Sequence, residues 1–161
     1  MRPRVRVVWG IAVIAAAAWL FVLSRGPILL RDASTAGHNG AVRTLLALGV
    51  DPNAPFYDKG PLSAAAKRGH IQTVRLLLDG GADPDSRAAF GTTALVYAAS
   101  AGHLDVVRLL VVRGANLNAV GNCDTAWKRA TQDGHAKIAA FLQEQGAYVG
   151  EVACTRRLPI V

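Results

Sequence analysis

Four histidines are the residues of this chain whose type and spacing are best suited to chemistry. Each follows a glycine, and the pairs recur at steps of 32, 33 and 32 residues: Gly37-His38, Gly69-His70, Gly102-His103 and Gly134-His135. Repeated imidazoles suggest a metal site, but one helix-packing distance of about 8 to 10 Å would separate neighbouring units, whereas zinc ligands lie about 2 Å from the metal. We therefore expect no bound metal and predict that each imidazole is hydrogen-bonded to a nearby backbone carbonyl.

Three pairs of Asp and Asn residues resemble fragments of a calcium-binding loop. They are Asp51/Asn53, Asp83/Asp85 and Asn116/Asn118. Such side chains commonly cap turns by bonding to the nearby backbone, which explains the pairs without an ion. The chain also contains no G-x-S-x-G, no phosphate-cradling glycine loop and no H-E-x-x-H motif, and neither cysteine has a neighbour that reads as its base. The sequence therefore predicts neither an enzyme nor a cofactor.

The histidines belong to a repeated unit that accounts for their spacing. A second glycine stands twelve residues after each first one, at Gly49, Gly81, Gly114 and Gly146. Between the two glycines, apolar residues recur as one face of an amphipathic helix of about three turns: Val42, Leu45 and Leu46; Ile71, Val74, Leu77 and Leu78; Leu104, Val107, Leu110 and Val111; Ile138, Phe141 and Leu142. A shorter, Ala-rich helix precedes each Gly-His pair. Each unit is therefore predicted to be a helix, a tight loop, an antiparallel helix and an extended polar turn.

The period, the paired glycines and the endings GVDPN, GADPD and GANLN resemble the ankyrin-repeat family, whose unit reads T-P-L-H-x-A-A-x-x-G-H and ends in G-A-D-x-N. The resemblance covers residues 28–151. It implies an all-α ankyrin-repeat solenoid of stacked helix-turn-helix units, with four repeats at 28–57, 58–90, 91–123 and 124–151 and a tail at 152–161. Only Pro61 matches the family's proline, and Arg31, Ser63, Val96 and Lys128 replace its histidine. Because that histidine normally bonds to the backbone, we expect modest stability.

The beginning of the chain predicts one transmembrane helix ahead of the solenoid. Residues 7–23 carry no charge and would cover roughly 25 Å as a helix, the short end of what crosses a bilayer. Residues 1–6 contain three arginines, so the positive-inside tendency keeps the N-terminus in the cytoplasm and translocates the rest. Residues 24–27 are predicted to be a short linker that holds the repeats close to the membrane. Two alternatives stay open: a signal peptide cleaved near Ser24, and a buried helix of a soluble protein.

The net charge does not indicate a nucleic-acid partner. The formal value is +7, but four of these charges, on Arg2, Arg4, Arg6 and Arg25, belong to the topology signal, and residues 26–161 hold 14 basic and 11 acidic side chains. Nucleic-acid recognition requires a clustered basic face. The excess of arginine over lysine, 14 to 4, suggests a GC-rich bacterium. We therefore expect a bacterial inner-membrane protein with its repeats in the periplasm.

Residues that differ between repeats are the candidates for function, because residues that recur maintain the repeat. In ankyrin proteins the extended turns and the exposed side of the first helices bind other proteins. The resemblance carries this role to Phe56, Tyr57, Lys59, Lys67, Arg68, Phe90, Thr92, Tyr97, Ser100, Asn122, Arg129 and Gln132. Phe56, Tyr57 and Phe90 are large aromatic residues on predicted turns, and aromatic residues dominate binding hot spots. The alternative is that these three rings fold back on their own array.

Together, the N-terminal segment and the repeats predict a membrane-anchored module that binds another protein, either membrane-embedded or periplasmic. Two further functions use the same surface or compartment: an inhibitor or immunity-type protein that blocks a toxin or enzyme, and an accessory factor of a periplasmic enzyme. Loss of the partner's activity on tight binding would distinguish an inhibitor from an adaptor.

The two cysteines, Cys123 and Cys154, occupy nearly equivalent turn positions of successive repeats. A regular array would place their Cα atoms about 10 Å apart, beyond the limit of about 7 Å for a disulfide, but the irregular tail could bend inward. In an oxidising compartment the bond would close a loop of about 30 residues and contribute about 2 to 4 kcal/mol. The sequence leaves the pairing open.

Overall fold

The structure is a computed structural model that describes residues 24–56, 58–88, 91–121 and 124–150. The predicted membrane segment 7–23, the tail 152–161 and both cysteines, Cys123 and Cys154, lie outside the described residues. The anchor and the disulfide therefore stay predictions. Within the described ranges, no helix combines the length and the apolar character needed to cross a membrane.

Eight helices in the described ranges form four pairs, and a Gly-His loop joins the two helices of each pair. They are α1 (24–36), α2 (Asn39–Ala47), α3 (Pro61–Arg68), α4 (Ile71–Asp79), α5 (Ala94–Ser100), α6 (Leu104–Val112), α7 (Ala126–Gln132) and α8 (Ala136–Glu144). The same ranges contain no β-strand, although an isolated antiparallel bridge joins Gly121 to Asp124. The all-α prediction is confirmed.

Residues 24–27 differ from the sequence prediction, which assigned them to a linker. They are helical and continuous with the rest of α1. Gly26 is buried against Val50, and a Cβ built on it would lie 2.8 Å from the Val50 Cγ2 atom. Packing of this turn against the end of the first helix pair gives it a tertiary contact that the Gly-Pro sequence does not reveal.

The second helix of each pair buries the apolar stripe that the sequence predicts. Val42, Val74, Leu77, Val107, Leu110, Ile138 and Leu142 are buried, and Leu45, Leu46, Ile71, Leu78, Leu104, Val111 and Phe141 pack partly buried against them. These helices have only nine residues each, too few to be stable alone in water. Their stability therefore depends on the tertiary burial of this stripe.

The helices form two layers that share one core. In the first layer α3 packs on α5 and α5 on α7; in the second, α2 packs on α4, α4 on α6 and α6 on α8. Ala65, Ala98 and Ala130 occupy equivalent positions of the first-layer helices and are completely buried. Because alanine adds only a methyl group, neighbouring first-layer helices can pack close together.

Hydrogen bonds from three of the four histidines connect successive helix pairs. The Nε2 atoms of His70, His103 and His135 lie 3.1, 3.2 and 3.0 Å from the carbonyl oxygens of Thr35, Lys67 and Ser100. Each of these carbonyls belongs to the first helix of the preceding pair. The predicted imidazole–carbonyl bond is confirmed at these three positions, and it joins neighbouring pairs instead of acting within one loop. His38 belongs to the first pair in the described ranges, so no earlier pair there offers it a carbonyl.

The Asp and Asn pairs form a second set of hydrogen bonds along the extended turns. Asp51, Asp83 and Asn116 each accept from the backbone N–H two residues on, at 2.8 to 2.9 Å, which confirms their predicted role in capping turns. The second member of each pair, Asn53, Asp85 or Asn118, accepts from a backbone N–H of the next turn, at Asp83, Asn116 and Tyr148. The residues that recur in the sequence therefore hold the stack together.

The threonines that precede α5 and α7 differ in their hydrogen bonding. The hydroxyl of Thr93, the residue before this helix, is buried with no hydrogen-bond partner among the described residues. In α7 the equivalent Thr125 accepts from the Lys128 N–H at 3.3 Å. An unpaired buried hydroxyl lowers the free energy of unfolding. The modest stability expected from the replaced histidines stays a prediction.

Candidate functional site

The exposed side of the first helices of the four pairs, α1, α3, α5 and α7, is called the first-helix face. Its half-buried and exposed residues include Arg31, Asp32 and Thr35 on α1, Lys67 and Arg68 on α3, Tyr97 and Ser100 on α5, and Arg129 and Gln132 on α7. Six of them were predicted as binding residues from the sequence. These six are Lys67, Arg68, Tyr97, Ser100, Arg129 and Gln132, and the structure brings them onto one surface.

A cleft of about 700 Å³ opens at the end of this face nearest α1. It is lined by Arg31, Asp32, Thr35, Asp58, Lys59, Ala64, Lys67 and Arg68. Four of these eight side chains are cationic and two are carboxylates, so the cleft carries a net positive charge. We call it the basic cleft.

Tyr97 lies beside the basic cleft and connects the second and third helix pairs. The ammonium groups of Lys59 and Lys67 lie 5.6 and 6.0 Å from the centroid of its ring, within the range of cation–π attraction. Lys59 is also 3.2 Å from both carboxylate oxygens of Asp58. Tyr97 therefore presents a half-buried ring flanked by two cations.

Arg31 closes the other side of the basic cleft. Its guanidinium donates to Asp32 at 2.9 and 3.1 Å and lies 5.4 Å from the centroid of the Phe56 ring. Phe56 is half-buried. The alternative that the predicted aromatics contact their own array therefore holds in part for Phe56, while part of its surface stays available.

Lys67 and Arg68 differ from the other two cations of the basic cleft. Both are exposed, in the last turn of α3, and neither forms an ion pair with a carboxylate of the described residues, whereas Arg31 and Lys59 do. Cations are favoured at a helix C-terminus by the backbone dipole. That attraction leaves their N–H groups free to bind a ligand.

The α5–α7 part of the first-helix face is more neutral. Ser100 donates to Asp133 at 2.6 Å, and Lys128 and Arg129 both pair with Asp124, at 3.1 and 3.4 Å. Both cations here have a carboxylate partner within the chain, whereas Lys67 and Arg68 at the α3 end have none among the described residues.

Thr92 requires a correction, since the sequence assigned it to the binding surface. Its side chain is only 6% exposed, because the backbone of Gly121 packs directly against it and its carbonyl accepts from the Ala88 N–H at 2.9 Å. Thr92 therefore does not contribute to the surface. Three other predicted residues, Tyr57, Phe90 and Asn122, lie outside the described residues.

Sequence reasoning missed Arg31, Asp32, Thr35 and Asp58, which line the basic cleft. The missed signal was the register of the repeat, because Thr35 occupies the position of Lys67, Ser100 and Gln132 in the other units. Asp58 has no such signal, since it lies in an irregular turn at the start of the second unit, before α3.

The chemistry of this surface is that of non-covalent recognition. It offers cations, carboxylates and an aromatic ring, all of them open to solvent. No group of three or more metal-ligating side chains occurs within the described ranges.

Comparison with known proteins supports the repeat assignment. A family model described as ankyrin repeats, in three copies, matches the chain twice, over residues 29–121 and 62–152. Protein HOS4 of Saccharomyces cerevisiae is 46% identical over 83 residues, which is 48% of this chain and 8% of that protein. A Caenorhabditis elegans homolog of transient receptor potential cation channel subfamily A member 1 is 30% identical over 122 residues, 74% of this chain and 10% of that protein. The chain thus spans a tenth or less of these relatives.

Proposed function

Because the chain belongs to the ankyrin-repeat family, whose repeats are protein–protein interaction modules, we propose that it binds a partner protein through its first-helix face. This proposal rests on a difference between the residues that recur in every repeat and those that do not. The recurring histidines and Asx residues bond one helix pair to the next, and the first glycines of three pairs pack against these histidine rings. Those that do not recur, such as Lys67 and Tyr97, lie on the first-helix face and leave part of their surface to solvent.

We further propose that residues 7–23 anchor the module in a bacterial inner membrane and that the repeats lie in the periplasm. The uncharged length of this segment and the three arginines before it support the anchor and its orientation. The helical conformation of residues 24–27 leaves no flexible spacer there. A partner that is itself embedded in the membrane, or close to it, suits such a tethered module.

Site-specific crosslinking tests the binding surface. We expect p-benzoylphenylalanine in place of Tyr97, expressed in the native host and irradiated, to give a discrete adduct with another protein. The same amino acid in place of Arg75, an exposed residue of α4 in the second layer, is the matched control and is expected to give none. Adducts from both positions, or from neither, would contradict the proposed surface. Mass spectrometry of the adduct then identifies the partner, and an assay of that partner's activity separates an inhibitor from an adaptor.

Membrane extraction tests the anchor. We expect the full chain to stay in the membrane pellet after alkaline carbonate treatment, because about 17 uncharged residues buried in lipid resist extraction. A variant lacking residues 2–23 should move entirely to the supernatant. Protease added to spheroplasts should digest the repeats, which lie after residue 26. Full protection of the repeats, with an interior marker protein also protected, would show that they face the cytoplasm.

A further inference from the structure

The basic cleft holds two kinds of cation. Arg31 and Lys59 have carboxylate partners within the chain, at 2.9 and 3.2 Å. Lys67 and Arg68 are exposed and form no ion pair with a carboxylate of the described residues. The two neighbouring charges at the end of α3 are therefore free to bind an anionic ligand.

The position of Lys67 is fixed by the fold. Its carbonyl oxygen lies 3.2 Å from the Nε2 atom of His103, a bond that joins the third helix pair to the second. Its ammonium group lies 6.0 Å from the centroid of the Tyr97 ring. Because both the backbone and the side chain of Lys67 have contacts within the chain, this side chain loses less conformational freedom when a ligand binds, which favours affinity.

Stacking of the helix pairs does not require cations at these two positions. The equivalent residues of the other units are Thr35 and Ala36, Ser100 and Ala101, and Gln132 and Asp133. The first helices of the four pairs, α1, α3, α5 and α7, all end at a Gly-His loop, so the helix dipole would favour cations equally in each. Lys67 and Arg68 are thus specific to one unit, as expected of residues that select a partner.

Two carboxylates restrict the class of ligand. The side chains of Asp32 and Asp58 are 58% and 67% exposed and line the same cleft as Lys67 and Arg68. A continuous anionic surface, such as a membrane of acidic lipids or a nucleic-acid backbone, would place negative charge against both. A peptide segment can alternate carboxylates with N–H donors and so match both signs of charge.

We propose that the basic cleft binds an acidic segment of the partner protein, whose carboxylates pair with Lys67 and Arg68 beside the ring of Tyr97. This inference rests on the proposed function and names the chemistry of its partner. Asp32 and Asp58 accept hydrogen bonds from the backbone or from polar side chains of the same segment.

Fluorescence anisotropy on the full chain in a nonionic detergent tests the proposal. The probe is a fluorescein-labelled dodecapeptide of alternating glutamate and glycine, and the matched probe has glutamine in place of glutamate. We expect saturable binding of the first probe, little binding of the second, and weaker binding as salt increases. The double variant Lys67→Gln/Arg68→Gln should raise Kd by about fivefold, which two exposed ion pairs can supply.

The control variant is Arg43→Gln/Arg75→Gln. It removes the same charge from exposed positions of α2 and α4 in the second layer and should change Kd by less than about twofold. An equal loss of affinity in both variants would show attraction to the overall charge and would overturn the proposal. So would tighter binding to phosphatidylglycerol vesicles or to single-stranded DNA than to the acidic peptide.

Crosslinking separates failure of this inference from failure of the proposed function. If the benzoylphenylalanine at position 97 captures its partner in normal yield when Lys67→Gln/Arg68→Gln is also present, the module binds a protein but not through an acidic segment in this cleft. If position 97 yields no adduct in the parent chain either, the proposed function itself fails. Loss of the adduct in the double variant, with an unchanged circular dichroism spectrum, supports both.

Discussion

Replacement of Leu110 by Ala is expected to lower the free energy of unfolding by about 4 kcal/mol. Leu110 is completely buried in α6, which packs against both α4 and α8. Its truncation would therefore leave a cavity next to two interfaces between helix pairs. In a repeat array, stability comes from these interfaces as well as from each unit. Loss of packing in the third helix pair therefore also weakens its contacts with the second and fourth pairs.

Urea unfolding followed by circular dichroism at 222 nm measures this effect. Val112→Ala is the matched control, because Val112 belongs to the same helix but is 80% exposed. We expect it to change the free energy of unfolding by less than about 0.5 kcal/mol, since alanine has the higher helix propensity and little surface is uncovered. Similar losses in both variants would mean that α6 does not present Leu110 to the core.

The sequence was sufficient to predict the helix pairs because the same constraints occur in every unit. A side chain such as Leu77 recurs with its counterparts at a fixed distance from two glycines, and that regularity determines which helical face is buried. The Asx turns at Asp51, Asp83 and Asn116 were predictable for the same reason. Their bonds span two residues, so a local pattern is enough to reveal them.

The basic cleft was only half predictable, because its contacts join parts of the chain that no period relates. Lys59 lies in a turn before α3 and reaches the ring of Tyr97 in α5, and nothing in either local sequence indicates this approach. Thr92 was predicted to lie on the binding surface but is buried. Its position in a polar turn suggested exposure, but the backbone of Gly121, 29 residues later, covers it.

The contacts of the histidines with the preceding helix pair could also not be predicted from the local sequence. The sequence indicated an imidazole bonded to a backbone carbonyl, whereas the structure shows that this carbonyl belongs to the preceding helix pair. The ring of each such histidine also covers the first glycine of that pair. The Gly-His pair is therefore a contact between units, which explains why both residues recur together.

Gly102→Ala should accordingly lower the free energy of unfolding by about 3 kcal/mol. Gly102 has a φ of +80°, and a side chain in this left-handed conformation costs about 1 kcal/mol. A Cβ at this position would also lie 2.7 Å from the Cε1 atom of His135. The imidazole must then move and weaken its 3.0 Å contact with the Ser100 carbonyl, and the lost hydrogen bond and packing account for about 2 kcal/mol more.

Gly134→Ala is the control that separates the two causes. Gly134 has nearly the same φ, +79°, but no described atom lies within 4 Å of a Cβ built on it, because no further helix pair follows in the described ranges. We expect its substitution to lower the free energy of unfolding by only about 1 kcal/mol, the cost of a side chain in the left-handed backbone conformation. Urea unfolding of both variants gives the difference between them, which is the contribution of the His135 contact. Equal losses of unfolding free energy in the two variants would contradict a contribution from the His135 contact. The backbone conformation alone would then explain why glycine recurs at this position.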